Sequence, residues 1–379
     1  MKLTLLFFIS LLWPIFSQAQ QSGQPSAPVL AAKSYVLYDY TSNQILVSQD
    51  SDKHIAPASL TKLMTAYLTF SALKLNQISL GQSTLPTAEA LRSQEVESRM
   101  FLDKNKAVTI AELLRGLIAL SGNDAARVLA TVIAGSEESF VEMMNKEAQR
   151  LSMSNTHFVN ATGATNPQHY STAYDLVLLA AAIVRDFPEH YPIYGMREFQ
   201  YNHIPQTNRN RLLWMDPYAD GMSTGYNEGD GFHLVASAKR DQRRLISVVL
   251  GAPSDRLRAT ESQKLLNFGF QNFDAVRLYQ RNQPVASVRL WKGAESTVKV
   301  GFRRDFFLSV PKEKLAQLKA TMETRQPLIA PISDGQQIGL MRLSLDGQPY
   351  AEVPLLALDS VSQANVFSRG WDSIRLFFQ

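Results

Sequence analysis

Pro57-Ala58-Ser59-Leu60-Thr61-Lys62-Leu63-Met64-Thr65 opens a stretch whose apolar residues Leu60, Leu63, Met64, Tyr67, Leu68 and Leu73 recur at helical spacing. The spacing predicts a helix from Ser59 to Lys74. Residues three apart on a helix share a face, so the Lys62 amine can reach the Ser59 hydroxyl. A helix N-terminus favours negative charge developing there. Serine becomes nucleophilic beside a base, and lysine serves as one when burial or a neighbouring cation lowers its pKa. The chain holds three further Ser-x-x-Lys strings, beginning at Ser71, Ser296 and Ser309, so the string alone is near chance. Ser296 is predicted on a strand, where positions three apart face opposite sides. Pro311 interrupts the string at Ser309, and Ser71 sits near a helix end, where both residue types are commonly solvated.

Working outward, Ser34 to Val47 predicts two strands joined at Thr41-Ser42-Asn43. Helices are predicted over 109–120, 124–133, 138–151 and 172–184. His233–Lys239 (HLVASAK) and Arg244–Leu250 (RLISVVL) read as an antiparallel hairpin, followed by a helix over 254–268. From about Phe273 short alternating strands take over, at 285–291, 296–300, 336–344 and 349–356, with Asp346-Gly347 marking a hairpin turn. The fold class expected is mixed α/β (α+β): a helix-and-sheet domain over 29–272, then a small β-rich domain over 273–358. The chain shows no internal repeat.

The two ends differ from this body. Met1–Ala19 has a charged start at Lys2, an apolar run from Leu3 to Phe16 and small residues Ser17 and Ala19 flanking Gln18. That is the pattern of a cleaved signal peptide; the run is short for a membrane anchor, and Pro14 breaks it. Gln20 to Pro28 is a polar lead-in. In the tail, 362–379, Phe367, Trp371, Ile374 and Phe378 fall on one helical face, which suits an amphipathic helix lying on a membrane or docked on its own domain.

Composition narrows the chemistry. The 379 residues include 38 Lys plus Arg against 34 Asp plus Glu, and no cysteine. A net charge of +4 does not suggest a nucleic-acid binder, whose basic residues would cluster. Without cysteine there is no disulfide framework, thiol nucleophile or thiolate metal site. Six histidines and no HExxH string give little support to a zinc peptidase.

Two more elements accompany Ser59. Ser121-Gly122-Asn123 falls between two predicted helices, as a polar loop or as a helix cap. Asp220-Gly221-Met222-Ser223-Thr224-Gly225 precedes the Val-rich hairpin, where a strand edge can present its backbone to an extended peptide.

With PASLTKLMT, MFLDKNKAVTIAELLRGLIALSGNDAA, NRNRLLW, DGMSTG, LVASA and RLISVVLGA in this order, the chain resembles the low-molecular-mass penicillin-binding proteins, specifically the exported D-alanyl-D-alanine carboxypeptidases. The resemblance runs over nearly the whole chain. It implies a penicillin-binding, β-lactamase-like transpeptidase domain, peptidoglycan stem peptides as substrate, β-lactams as inhibitors and no cofactor or metal. It implies that Ser59 is acylated, that Lys62 takes its proton, and that Ser121 relays a proton to the leaving amine. Asn123 would hold the substrate amide, and the strand Ser223-Thr224-Gly225 would pair with its backbone. The backbone amides of Ser59 and Tyr226 would form the oxyanion hole. The implied location is the periplasm, at the outer face of the cytoplasmic membrane.

One position departs from the pattern. The family has lysine where this chain has Ser223. A lysine there would bind the substrate carboxylate and help keep Lys62 neutral. Arg209 and Arg258 match family arginines expected near that carboxylate, and are read as partial replacements or as structural ion pairs. Two rival readings follow: a weakened penicillin-binding or wall-scaffolding protein, and a β-lactamase-like hydrolase. The second lacks a Glu-x-x-x-Asn string between Asn155 and Tyr170. The loop from Asn160 aligns with the region shaping deacylation, with no water-activating group assigned.

Overall fold

The computed structural model describes residues 25–92 and 98–377. The expected signal peptide, and Phe378 of the tail, lie outside the described residues. Strands β1 (Ser34–Asp39) and β2 (Gln44–Gln49) form the first hairpin. A 3₁₀ turn, Ala58–Thr61, leads into α1 (Lys62–Lys74). A ribbon of β3 (Ser83–Thr84) and β4 (Val108–Thr109) precedes α2 (Ile110–Ala119), α3 (Asn123–Ala134), α4 (Glu137–Arg150) and α5 (Ala173–Asp186). A second ribbon, β5 (Glu198–Tyr201) and β6 (Ile204–Thr207), and a short helix α6 (Leu212–Met215) lead to β7 (Ala219–Asn227), β8 (Gly231–Arg240), β9 (Arg243–Ala252) and α7 (Asp255–Asn272).

Local chemistry sets the helix starts. Thr109 and Glu112 form a reciprocal capping box on α2, while Ser136, Thr172 and Ser254 each cap a helix through the side-chain oxygen. Helix α1 is buried on nearly every side rather than on one face. Among its polar residues, Thr69 is satisfied within the helix, its Oγ1 donating to the Thr65 carbonyl at 2.8 Å.

The main sheet is antiparallel, in the order β2-β1-β9-β8-β7, so β7 is an edge. Alternating residues face two cores. Val36, Val235, Ile246 and Val248 pack with Leu63, Met64 and Phe70 beneath the helices; Leu37, Leu234, Leu245 and Val249 pack with Leu265 and Leu266 of α7. Each such buried side chain contributes roughly 1.5–3 kcal/mol.

Beyond Asn272 the chain is β-rich: β10 (Phe273–Tyr279), β11 (Pro284–Arg289), β12 (Thr297–Gly301), β13 (Phe306–Pro311), β14 (Leu318–Thr324), β15 (Gln337–Leu345) and β16 (Gln348–Ala357). One sheet runs β11-β12-β16-β15-β14, and β10 pairs with β13. Asp346 and Gly347, both at positive φ, turn β15 into β16 as the two-residue hairpin requires. The two parts meet at a buried joint. Ser309 of β13 donates its hydroxyl to Asp39, which also receives Arg243 Nε at 2.8 Å; the Ser309 amide donates to Gln44 Oε1 at 2.7 Å. The Ser-x-x-Lys string at Ser309 thus belongs to this joint. The final helix, α8 (Val366–Phe377), has no buried residue: Phe367 is 90% exposed and Trp371 59%. It is tied back where the Lys292 amide donates to Asp372 at 2.7 Å.

Candidate active site

Ser59 lies in the 3₁₀ turn, one residue after Ala58, which is held at φ 49°. A left-handed non-glycine residue costs of order 1–3 kcal/mol and persists where the surroundings over-determine it. Those surroundings are the segment 160–164. Asn160 Oδ1 accepts from the amides of Thr162, Gly163 and Ala164, at 3.1, 2.7 and 3.0 Å, and so curls the segment on itself. Gly163 has φ 85°, and a Cβ there would stand 1.8 Å from the Ala58 carbonyl oxygen. Only glycine fits that approach.

The curled segment turns two successive carbonyls toward α1. Thr65 Oγ1 donates to Ala161 O at 2.7 Å, and Lys62 Nζ to Thr162 O at 2.8 Å. Lys62 is 3% exposed, and its Nζ is also 3.0 Å from Ser59 Oγ. The amine is therefore held by a backbone acceptor while it faces the hydroxyl. His169 Nε2 lies 2.9 Å from Thr61 Oγ1, and burial, then His157, pushes its pKa down to about 4.

Ser121 sits between α2 and α3 at φ 57°, buried, with no hydrogen-bond partner on its Oγ. It does not cap α3; Gly122 holds that position. The Asn123 amide donates to Ser98 O at 2.8 Å. The next residue, Asp124, is 2% exposed and accepts from the amides of Met100 and Leu102, at 3.0 and 3.1 Å. It pins the neighbouring loop to the start of α3.

Strand β7 brings Thr224, Gly225 and Tyr226 alongside. Gly225 is needed for contact, since a Cβ would be 2.8 Å from Pro57 O. Asp230, in the turn after β7, accepts from the Ala56 amide at 3.1 Å and from Lys33 at 3.1 Å, tying that hairpin to the loop before Ser59. His233 of β8 accepts at Nδ1 from the Gly251 amide at 2.9 Å, and burial pushes its pKa down to about 4.

Ser59, Ser121, Asn123, Thr224, Gly225, Tyr226, Arg209 and Arg258 line one cleft of about 630 Å³. Lys62 lies buried against Ser59. Ser223 is half-buried on β7 and is not part of the cleft wall. The two arginines differ. Arg258 is 7% exposed and donates to Gly225 O at 2.9 Å while paired with Asp255, so it braces β7 as well as lining the cleft. Arg209 is exposed at the rim. Sequence reasoning missed Asn160, Gly163, Asp124 and Asp230 as residues that place the site. The Asn-Ala-Thr-Gly string was the available signal, because Asn and Gly together favour a tight turn.

Residues 21–254 match the family described as D-alanyl-D-alanine carboxypeptidase, and residues 273–363 match the penicillin-binding protein 5 C-terminal domain. The D-alanyl-D-alanine carboxypeptidase DacC of Escherichia coli is 39% identical over 98% of this chain and 94% of its own length. A crystal structure of penicillin-binding protein 5 from Haemophilus influenzae superposes with a TM-score of 0.86 at 40% identity, over 89% of this chain and all of that one. Penicillin-binding protein D2 from Listeria monocytogenes, in its ampicillin-bound form, has a TM-score of 0.59 at 28% identity, over 65% of this chain and all of that one.

Proposed function

Because the chain belongs to the D-alanyl-D-alanine carboxypeptidase family, we propose that Ser59 is the acyl carrier through which it removes the terminal D-alanine of peptidoglycan stem peptides. The protein is a serine-type hydrolase. The observation that carries the assignment to Ser59 is the placement of Lys62 Nζ, 3.0 Å from Ser59 Oγ and anchored on Thr162 O. Neutral Lys62 accepts the Ser59 proton as Oγ bonds to the carbonyl carbon. The amides of Ser59 and Tyr226 face the developing oxyanion, each donor worth about 2.7–4 kcal/mol in such sites. The C–N bond then breaks, and the leaving amine takes a proton by way of Ser121. Water hydrolyses the ester and restores Ser59.

The substrate lies extended along the free edge of β7, with Asn123 on its amide and its terminal carboxylate toward Thr224, Arg209 and Arg258. Ser223 supplies no charge there. A charge-assisted hydrogen bond is worth about 1.5–3 kcal/mol, so carboxylate recognition is weaker by roughly ten- to 150-fold than with lysine. The weakened reading rests on this residue; the orientation of Lys62 and Ser59 supports an active enzyme. β-Lactams, as bound by the Listeria relative, acylate the same hydroxyl.

Met1–Ala19 directs export, and α8 rests its aromatic face on the outer surface of the cytoplasmic membrane. Among the described residues no helix is long and apolar enough to cross a membrane. Labelling with fluorescent penicillin and mapping the modified residue tests the assignment. Adduct on Ser59, with D-alanine release lost in Ser59→Ala, is expected; adduct elsewhere overturns it.

A further inference from the structure

We propose that two copies of this chain pair through the free edge of the β-rich domain, their β14 strands lying antiparallel about a twofold axis at Thr321 and joining the two sheets into one. Strand β14 ends the order β11-β12-β16-β15-β14, so one side of its backbone has no strand beyond it. Such an edge is a template for another strand, and proteins usually blunt it with charge, proline or a bulge. β14 has no proline, pairs with β15 over its whole length without a register shift, and carries two charges of opposite sign.

The strand Leu318-Lys319-Ala320-Thr321-Met322-Glu323-Thr324 is self-complementary about its centre. Turned on itself, Thr321 faces the partner's Thr321, Lys319 faces the partner's Glu323, and Ala320 faces the partner's Met322. Odd positions meet odd and even meet even, so the outward-pointing amides of one strand oppose the outward-pointing carbonyls of the other. Both faces of the strand gain from this register. Residues 318, 320 and 322 lie opposite the buried Leu345, Leu343 and Met341, on the core side of the sheet. Ala320 and Met322 are nevertheless exposed, Met322 by 43%, because the core stops short of the edge. The partner strand covers this apolar shelf. On the other face Arg342 is shared by Glu323 at 2.7 Å and Glu352 at 2.9 Å, two carboxylates on one guanidinium. The partner's Lys319 supplies the missing positive charge. Opposite charges and paired threonines are favourable across strands, whereas like charges directly opposite are destabilising. Seven residues a side make a small interface, so the dimer forms in a concentration-dependent equilibrium.

Sedimentation velocity on the purified protein, over about 1–100 μM, reads that equilibrium. A monomer–dimer transition within the range is expected. Lys319→Glu sets a carboxylate against the partner's Glu323, and Glu323→Lys sets an ammonium against the partner's Lys319. Each should weaken dimerisation about tenfold or more, since both symmetry-related pairs turn from attraction to repulsion. An equimolar mixture of the two variants again opposes unlike charges at both positions and should recover the wild-type midpoint. Both side chains lie on the exposed edge of the β-rich domain, so melting temperature and penicillin labelling should stay unchanged. A monomer throughout the range overturns the proposal, as does a dimer that neither substitution weakens. Weakening by each variant without recovery in the mixture also overturns it, since strands paired about Thr321 must exchange these partners.

Discussion

Lys62 Nζ stands 3.0 Å from Ser59 Oγ while donating to Thr162 O at 2.8 Å. The Lys62 amine is thus oriented by a carbonyl from a segment a hundred residues away in sequence, and not by the helix alone. Lys62→Met keeps the buried stem and removes the amine. Acylation by fluorescent penicillin should fall by roughly 10²- to 10⁴-fold, the usual contribution of a positioned base, with the melting temperature little changed. Labelling at the wild-type rate would exclude Lys62 as the proton acceptor.

Ser223→Lys should raise kcat/KM for stem peptides by roughly ten- to 150-fold, following the worth of a charge-assisted hydrogen bond. The longer lysine side chain would reach from β7 toward the cleft, and an ammonium there favours loss of the proton from Lys62. With neutral Lys62 as the proposed proton acceptor, the rising limb of the pH–rate profile should move to lower pH. Rates and profile unchanged by the substitution would mean that other groups already supply this charge.

Gly163→Ala places a Cβ 1.8 Å from Ala58 O, in addition to a left-handed backbone. Gly135→Ala has a similar φ of 81° but meets nothing within 4 Å. The second should cost only about 1–2 kcal/mol. The first should displace Thr162 O from Lys62 and abolish penicillin labelling. Melting curves and labelling of both variants compare the two effects, and equal behaviour would refute the steric account.

Much of this arrangement was legible beforehand, for identifiable reasons. Helices α2 to α5 carry apolar periodicity and capping residues, so their limits fell within about two residues of expectation. Ser59 and Lys62 are local neighbours that spacing puts within reach, and the companion motifs distinguish them from the three other Ser-x-x-Lys strings. What escaped was non-local or featureless. Strand β14 (LKATMET) alternates Leu318, Ala320 and Met322 with polar residues, but it is short and exposed along most of its length, so little separates it from the surrounding polar chain. Strand β10 is interrupted by Asp274 and Arg277 and pairs with β13 far along the chain. Arg258 resembled a carboxylate ligand in sequence, whereas its hold on Gly225 O depends on how α7 packs on the sheet. The string from Asn160 to Gly163 signals a tight turn in the sequence, but that this turn braces Ala58 depends on how the segment folds back.

His169 and His233 have pKa values lowered by burial to about 4, from an ordinary value of 6.5. Between those values the unfolded chain binds more protons than the folded one, so stability is lost as pH falls through that range. The melting temperature should drop from pH 7 to pH 4.5, and His169→Gln, which lacks the titrating ring, should flatten the slope. A slope identical to wild type would assign the acid sensitivity to other groups.

Deleting residues 362–379 should release the protein from anionic lipid vesicles and leave pentapeptide turnover by the soluble protein unchanged. Val366, Phe367 and Phe377, at 71%, 90% and 84% exposure, supply the apolar area for such binding. A flotation assay reads the outcome, and undiminished flotation would rule out a lipid-facing tail.

The joint in which Ser309, Asp39 and Arg243 interlock has a mechanical corollary. It ties the catalytic head to the β-rich pedestal through buried and part-buried hydrogen bonds. If α8 rests on lipid as proposed, the pedestal sets the altitude of the cleft. Were the helix so seated, trimming would be confined to one level of the wall, and lengthening the pedestal would raise that level.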